Sequence, residues 1–505
     1  MRIKLSILLI LVCAKFGFAQ TFNKTSTFNL STFYFRSLLV KDSTIYAAGF
    51  GADTNEPSKP KMYIANYDLN GTLLEFVNPL DTLSDSFFSA ENSILDFDST
   101  LIFLTKYSNS SVFNNPCLYA TNKKLEIKTI KKLAYPNYLS VNSFGLTKVS
   151  KTKFLLLTSV QYKSGDNIDV FLHLIDRDFS IVWSKMYGVQ NKYDVPYSAV
   201  KLNSGNLLIG SHRTDAGMTV AGQRYQEQTW IFEIDTAGNM VREFLDTNTR
   251  TGPAKGLTQT NDGGFVYCGK YQTGFDGHLG YNYGGSIARV DKTLQLKEWE
   301  KVVTDTSGNL ISLENIKRQK DDLIAVGNNV GEFQNDWNGL LMGSIIKFDK
   351  NGIIQWQRVF PSIDTIGNQS WSYLNDLTID TKANIISVGE YDPFTGPNQG
   401  WILKLDSNGC YDNGFCGYPI VSVKEQLNYE NKDLSIYPNP FITEFNLDFQ
   451  NLQFKSIEIF NFLGNMIYSS DREKAKVDLT GFPSGVYFIK LNTLEGIFIE
   501  KIIKE

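Results

Sequence analysis

Three histidines in 505 residues leave little room for imidazole chemistry, and His173, His212 and His278 stand far apart with no fixed relation to a Ser or Cys. No G-x-S-x-G elbow, CxxC pair or Cys/His cluster occurs, so neither a serine hydrolase nor a zinc centre is legible, and no metal or cofactor is expected. The Asp-x-Asn-Gly series at Asp68, Asp349 and Asp406 has oxygen ligands that suit calcium, but it lacks a twelve-residue loop ending in Glu. Its place between strand-like runs makes it turn chemistry.

Two other sets have the makings of a binding surface. The long segments Phe50 to Lys61, Lys106 to Pro116, Ser211 to Thr229, Tyr271 to Gly285, Asn328 to Gly343 and Glu390 to Gly400 read as loops leaving one face. They carry Tyr271, Tyr281, Tyr283, Phe333, Trp337 and Tyr391, with Asp276 and His278 among their polar neighbours. Stacking rings beside amides and carboxylates suit a glycan or a peptide, although the same rings would equally pin down their own loops. The second set, Arg36, Asn92, Lys255, Glu314 and Asp376, falls at or beside a ring of small residues described below. Its mixed charges would hold a polar ligand or neutralise one another. A glycosidase would need two carboxylates at a defined separation, which sequence alone does not place.

The elements that must position these groups are strands. A short apolar run ending in a small residue recurs at Ile45–Gly49, Leu101–Thr105, Phe154–Thr158, Asn206–Gly210, Phe265–Gly269, Leu323–Gly327 and Ile385–Gly389, roughly 56 residues apart. Each anchor is preceded by another strand and followed by two more, joined by turns such as Asp68-Leu-Asn-Gly71 and Asp349-Lys-Asn-Gly352. Four short antiparallel strands per unit, repeated seven times with no comparable helical period, make a seven-bladed propeller. Eleven to thirteen residues before each anchor's end stands a short residue (Ser37, Ser93, Gly145, Ala199, Gly256, Asn315 or Asp376), as expected where innermost strands converge on an axis. The seventh unit has no obvious fourth strand, and the alternating stretch Thr21 to Leu30 is expected to supply it, leaving no open seam.

The rest of the chain reads as an exported protein. Arg2 and Lys4 precede the apolar run Leu5–Ala14, and Gly17 and Ala19 flank a cut before Gln20, so residues 1–19 form a signal peptide. That run has about half the ~20 residues needed to span a bilayer, and later runs are shorter, so no transmembrane segment is expected. With 49 basic against 53 acidic residues, nothing suggests a nucleic-acid surface. Cys410 and Cys416 flank a five-residue loop that favours a local disulfide, whereas Cys268 sits in a strand as a small buried hydrophobe. The protein is expected to be monomeric.

Trp401-Ile-Leu-Lys-Leu-Asp-Ser-Asn-Gly409 and Ile354-Gln-Trp-Gln-Arg-Val-Phe360 resemble the W-x-x-K-x-D-x-x-G and I-x-W-x-K-x-[FY] patterns of secreted propeller repeats, a resemblance that covers residues 31–410 and implies fold but no function. From Asp433 the repeat stops. Leu434-Ser-Ile-Tyr-Pro-Asn-Pro440, Ile457–Gly464, Val477–Lys490 and Gly496–Lys504 follow in order and resemble the type A C-terminal sorting domain of type IX secretion. That resemblance implies recognition by the translocon through Tyr437, Pro438, Asn439, Pro440, Gly485, Tyr487, Lys501 and Lys504, with delivery through the periplasm and across the outer membrane. The expectation is thus an all-β chain: signal peptide at 1–19, seven-bladed β-propeller at 20–420, linker at 421–432 and a small immunoglobulin-like β-sandwich sorting domain at 433–505. Its function would be binding or adhesion, with a polysaccharide-active or other hydrolytic enzyme as the alternative.

Overall fold

The structure is a computed structural model of the chain. It describes residues 21–505 except 58, 80–85, 109–113, 164–166, 216–226, 247, 249–250, 277–279, 304–310, 331–340, 361–370, 394–395, 412–415, 417, 420–434, 449–453, 462–465, 473–475 and 494–496. The expected signal peptide and linker lie outside the described residues. The chain divides into one compact unit ending at Ile420 and a second beginning at Val421.

The first unit is all β. Blade 1 comprises Thr32–Lys41, Thr44–Ala52, Lys61–Asp68 and Leu73–Val77, from inner to outer strand. Blade 2 is Ser86–Phe97, Thr100–Ser108, Asn115–Asn122 and Ile127–Lys132, and blade 3 is Ser140–Lys148, Lys153–Gln161, Ile168–Asp176 and Ile181–Tyr187. Blade 4 is Lys192–Lys201, Leu207–Asp215, Gln228–Ile234 and Met240–Leu245, and blade 5 is Thr251–Gln259, Phe265–Asp276, Gly280–Val290 and Lys297–Val303. Blade 6 is Ile311–Gln319, Asp322–Val330, Leu341–Phe348 and Ile354–Phe360, with Tyr418–Pro419 added to its edge. Blade 7 is Trp371–Ile379, Ile385–Asp392 and Gln399–Leu405, and its outer strand is the N-terminal Phe22–Ser26.

The anchor runs are continuously apolar because both faces of each blade are buried. Successive side chains on a strand point to opposite faces, so Ile45 and Ala47 pack toward blade 7 while Tyr46 and Ala48 pack toward blade 2. Leu323 and Ala325 likewise face blade 5, and Ile324 and Val326 face blade 7. An apolar cluster fills every seam between adjacent blades, including the one joining Ile386, Val388 and Ile402 of blade 7 to Phe33 and Phe35 of blade 1. The ring is therefore closed. Its seam is tied by the antiparallel pairing of Phe22–Ser26 with Gly400–Lys404 and by Trp401 Nε1, which donates to Asn23 Oδ1 at 2.6 Å.

The Asp-x-x-Gly turns couple neighbouring blades. Asp349 Oδ1 accepts the backbone N–H groups of Asn351 and Ile353 at 2.8 and 2.9 Å, and Asp68 and Asp406 do the same in their own turns. Each following Gly has a positive φ, 78° at Gly352, which a side chain rarely adopts. A ring from the preceding blade also lies over it: a Cβ on Gly352 would meet Trp299 at 2.9 Å, one on Gly409 would meet Trp356 at 2.7 Å, and one on Gly71 would meet Phe22 at 2.7 Å. Trp299 Nε1 completes its contact by donating to Lys350 O at 3.2 Å. The two repeated motifs are thus halves of one clamp.

Cys410 and Cys416 are joined by a disulfide at the end of this unit, while Cys117 and Cys268 are buried thiols. In the second unit a three-stranded sheet (Ser435–Tyr437, Glu444–Asp448, Lys476–Asp478) and a four-stranded sheet (Met466–Ser470, Phe454–Asn461, Gly485–Thr493, Ile497–Lys504) enclose Phe441, Phe445, Ile457, Ile459, Tyr487, Ile489 and Ile502. Among the described residues no helix is long and apolar enough to cross a membrane.

Candidate functional site

One backbone irregularity builds the site. In the inner strands of blades 1, 3, 4, 5, 6 and 7 the pairing with the second strand skips one residue, at Arg36, Phe144, Tyr197, Lys255, Glu314 and Asn375. Blade 2 has a longer interruption between Ser89 and Ile94. A bulge re-aims the side chain it leaves unpaired. It also explains the anchor glycines: a Cβ on Gly49, Gly269, Gly327 or Gly389 would stand 1.7 to 1.9 Å from the carbonyl oxygen of Tyr34, Pro253, Ser312 or Tyr373, two residues before the bulge.

The residue after each bulge is the small one: Ser37, Gly145, Ser198, Gly256, Asn315 and Asp376. These groups lie close against the neighbouring inner strand, several bond across to it, and all but Gly256 also border the axial space. Ser37 Oγ accepts Ser93 N–H at 2.9 Å, Ser198 Oγ donates to Ala254 O at 3.0 Å, and Asn315 Nδ2 donates to Asp376 Oδ1 at 2.6 Å. A Cβ on Gly256 would meet Ile316 N at 2.6 Å. Smallness is set by this close approach of strands, not by convergence on the axis. In blade 4 the small position is Ser198, not Ala199, because Ser211 rather than Gly210 is the equivalent of the anchor's last residue.

Asp376 belongs to this belt rather than to the mouth. It is 4% exposed and accepts Leu38 N–H (2.9 Å), Leu377 N–H (2.8 Å) and Asn315 Nδ2. Burial pushes its carboxyl above the usual range even so.

The bulged residues themselves are half-buried and gather at the end of the ring from which the second-to-third-strand connections leave, since each inner strand begins there. Blades 1, 5, 6 and 7 supply a charged arc. Arg36 Nη1 donates to Asn375 Oδ1 at 3.1 Å, its Nη2 lies 3.7 Å from Glu390 Oε2, and its guanidinium stands 5.8 and 5.7 Å from the rings of Tyr34 and Phe50. Glu390 is 8% exposed, and burial pushes its carboxyl up against the opposing pull of Arg36. Lys255 pairs closely with Glu314, which also accepts Ser312 Oγ at 2.5 Å. Burial alone would raise Glu314, but Lys255 and Ser312 outweigh it and hold the carboxyl low. Blades 3 and 4 supply an aromatic arc: the rings of Phe144 and Tyr197 stand 5.6 Å apart, with Lys106 Nζ 5.6 Å from Phe144 and His212 5.4 Å from Tyr197.

The structure brings Arg36, Lys255 and Glu314 to this mouth. Asn92 lies in the inner strand of blade 2, and its side chain is outside the described residues. Phe144 and Tyr197 are members that sequence reasoning missed, although each stands immediately before a small residue of the belt.

The aromatic loop set fares differently. His278, Phe333 and Trp337 lie outside the described residues. Asp276, Tyr281 and Tyr283 lie on a long hairpin, Phe265–Asp276 paired with Gly280–Val290, where a loop from Tyr271 to Gly285 was expected. Their side chains are outside the described residues. Tyr271 pairs with Gly284 on the same hairpin and is half-buried. Tyr391 is corrected outright as a surface group: it is 3% exposed, because it sits on the second strand of blade 7, not in a loop.

In the second unit the segment Tyr437–Pro440 lies against the terminal strand. Asn439 acts as a surrogate strand, its Nδ2 donating to Lys501 O at 2.9 Å and its Oδ1 accepting Ile503 N–H at 2.8 Å. Phe441 N–H then donates to Ile503 O (2.9 Å) and Glu505 N–H to Phe441 O (2.8 Å). Tyr437–Pro438 and Asn439–Pro440 are cis peptides. Tyr487 Oη donates to Pro483 O at 2.5 Å, Lys504 Nζ to Phe482 O at 2.8 Å, and Gly485 takes φ 155° at the strand's start. Tyr437 is 53% exposed, and Lys501 also faces solvent.

Residues 435–505 match the family model of a secretion system C-terminal sorting domain. The tail is a type IX sorting domain, and it marks the chain for secretion to the cell surface or extracellular space by way of the type IX translocon. No curated protein matches the chain. Among solved structures, the β-propeller domain of the Trilobed protease from Pyrococcus furiosus is 9% identical, with a TM-score of 0.43, covering 75% of this chain and 96% of that one. The polysaccharide lyase Uly1 is 8% identical, with a TM-score of 0.47, covering 74% of this chain and 90% of that one. Drosophila Plexin A in complex with Semaphorin 1b is 10% identical, with a TM-score of 0.39, covering 78% and 87%. Likeness at this level carries no argument about activity; the seven blades rest on the strand pairing itself.

Proposed function

We propose that the exported propeller is a binding or adhesion protein whose ligand is a glycan seated at the mouth of the ring. The observation that carries this reading is the split mouth. The aromatic arc of Phe144 and Tyr197 offers the apolar faces on which a sugar ring stacks. The arc of Arg36, Asn375, Lys255 and Glu314 offers hydrogen-bonding groups whose charges are already paired. Paired charges favour a neutral polar ligand over a strongly ionic one, which would have to break them. A peptide is the second ligand class this mouth suits, and a polysaccharide-active hydrolase is the alternative function.

The test is a glycan array probed with the mature chain, followed by titration of the best ligand against Phe144→Ala and Tyr197→Ala. Each ring contributes about 1 kcal/mol of stacking, so each substitution is expected to weaken capture about fivefold while the ring stays folded. Unchanged affinity in both variants removes the mouth from contention. Turnover of a polymer without stable capture favours the hydrolase.

A further inference from the structure

Beneath the mouth lies a cavity on the axis of the ring, 290 Å³ in volume. Six of its walls come from one register position, the third residue after each bulge: Leu39, Leu95, Thr147, Val200, Lys317 and Thr378, supplied by blades 1, 2, 3, 4, 6 and 7. At that position the belt residues no longer separate the strands from the axis, so side chains turn inward. Most of the ring is aliphatic or hydroxylic; blade 6 alone among these supplies a charge.

Two lysines line the cavity, and they differ. Lys148 is committed, its Nζ donating to Asp96 O at 2.6 Å and lying 4.6 Å from the Phe97 ring. Lys317 makes no hydrogen bond and no ion pair with any described residue. Asp376 also lines the cavity, but it is buried, its carboxyl already accepts three donors, and it acts on Lys317 only through space. The cavity is half-open and its lining is mixed, with Ser37, Thr147, Ser198 and Thr378 beside the aliphatic residues, so a half-buried ammonium without a hydrogen-bonded partner there has room for an acceptor from outside the chain. Water or a ligand anion would serve.

We propose that the axial cavity is a binding site for a small aliphatic carboxylate. The carboxylate accepts from Lys317 Nζ and the Thr378 hydroxyl, and the hydrocarbon body lies against Leu39, Leu95 and Val200. The volume has room for a small ligand of about ten heavy atoms, taking each as roughly the size of a water. The aliphatic walls favour a ligand with a hydrocarbon body over an inorganic anion, which would accept from Lys317 but leave those walls uncovered. Tyr197 lines both the mouth and the cavity, so the ligand enters from the loop-bearing face. The site lies beneath the proposed glycan contact and shares Tyr197, but not Phe144, with it.

The experiment is calorimetric titration of the mature protein with hexanoate, and with 1-hexanol and hexylammonium as neutral and cationic controls of the same length. Hexanoate is expected to bind one per chain, and the two controls at least tenfold more weakly. Lys317→Met keeps the side chain's length without its charge and is expected to cost hexanoate at least tenfold. Leu95→Trp, which fills the cavity and leaves the lysine, is expected to abolish binding, so a failure of one variant to fold leaves the other decisive. Phe144→Ala is expected to leave hexanoate affinity unchanged, which separates this site from the mouth. No binding of hexanoate, equal binding of hexanol, or full affinity in both Lys317→Met and Leu95→Trp overturns the proposal.

Discussion

A histidine that does no chemistry should make its own destabilising contribution to the propeller on acidification. His173 is fully buried in blade 3, its Nδ1 2.7 Å from Ser184 Oγ and its Nε2 3.2 Å from Thr158 Oγ1 and 3.3 Å from Tyr135 Oη. Burial lowers its pKa from 6.5 to about 3. The native ring therefore stays neutral while the unfolded chain takes up a proton below pH 6.5, so stability falls as pH falls from 6.5 toward 3. Each pH unit in that window costs about 1.4 kcal/mol, or about 2 kcal/mol at pH 5. His212, lowered by burial to about 4, adds a similar loss. The raised carboxyls of Asp194, Glu227, Asp376 and Glu390 act in the opposite sense, because protonating them favours the native state. The net slope is therefore a poor test, and the difference between wild type and His173→Gln is a good one. All seven tryptophans precede Ile420, so their fluorescence follows the propeller alone during urea unfolding. Between pH 5 and 6 the slope of propeller stability against pH should be smaller in the variant by about 1.2 kcal/mol per unit, whatever the substitution costs at neutral pH. Parallel slopes would refute the reasoning.

Other substitutions test other parts of the account. Asp376→Leu strands the Leu38 and Leu377 N–H groups and the Asn315 amide, and should lower propeller stability by about 3 kcal/mol in urea unfolding; Asp376→Asn should recover part of that. Gly352→Ala should cost more than Gly205→Ala in the same assay. Both glycines have positive φ, but a new Cβ meets Trp299 at 2.9 Å in the first and nothing within 4 Å in the second, so strain of about 1 kcal/mol is common to both and the clash to one. Asn439→Ala removes both bonds to the terminal strand and should reduce the exported fraction, read by immunoblotting cells against medium; undiminished export would show that this strand pairing is not part of the signal.

Much of the architecture was written in periodicity. Seven apolar anchors, their Asp-x-x-Gly turns and the alternating Thr21–Leu30 segment point to a closed ring because burial on both faces and a free final edge leave direct traces in residue type. The site was harder to read because a bulge has no sequence signature of its own. Arg36, Lys255 and Glu314 stood out by charge, whereas Phe144 and Tyr197 looked like two more core aromatics. Ala199 passes for Ser198 in the sequence because Gly210 mimics an anchor end while serving a different contact: a Cβ there would meet Ser198 Oγ at 2.5 Å and Ala254 O at 2.8 Å. Tyr391 and the Tyr271–Gly285 segment look like loop in the sequence because glycine-rich, aromatic stretches resemble loops even when the strands simply run on.

The N-terminal segment closes the ring as the outer strand of blade 7. Hydrogen–deuterium exchange of the intact mature protein tests it most directly. Amides of Phe22–Ser26 should exchange as slowly as those of Gly400–Lys404, their partners in the pairing. Exchange of Phe22–Ser26 within seconds while Gly400–Lys404 remains protected would contradict it.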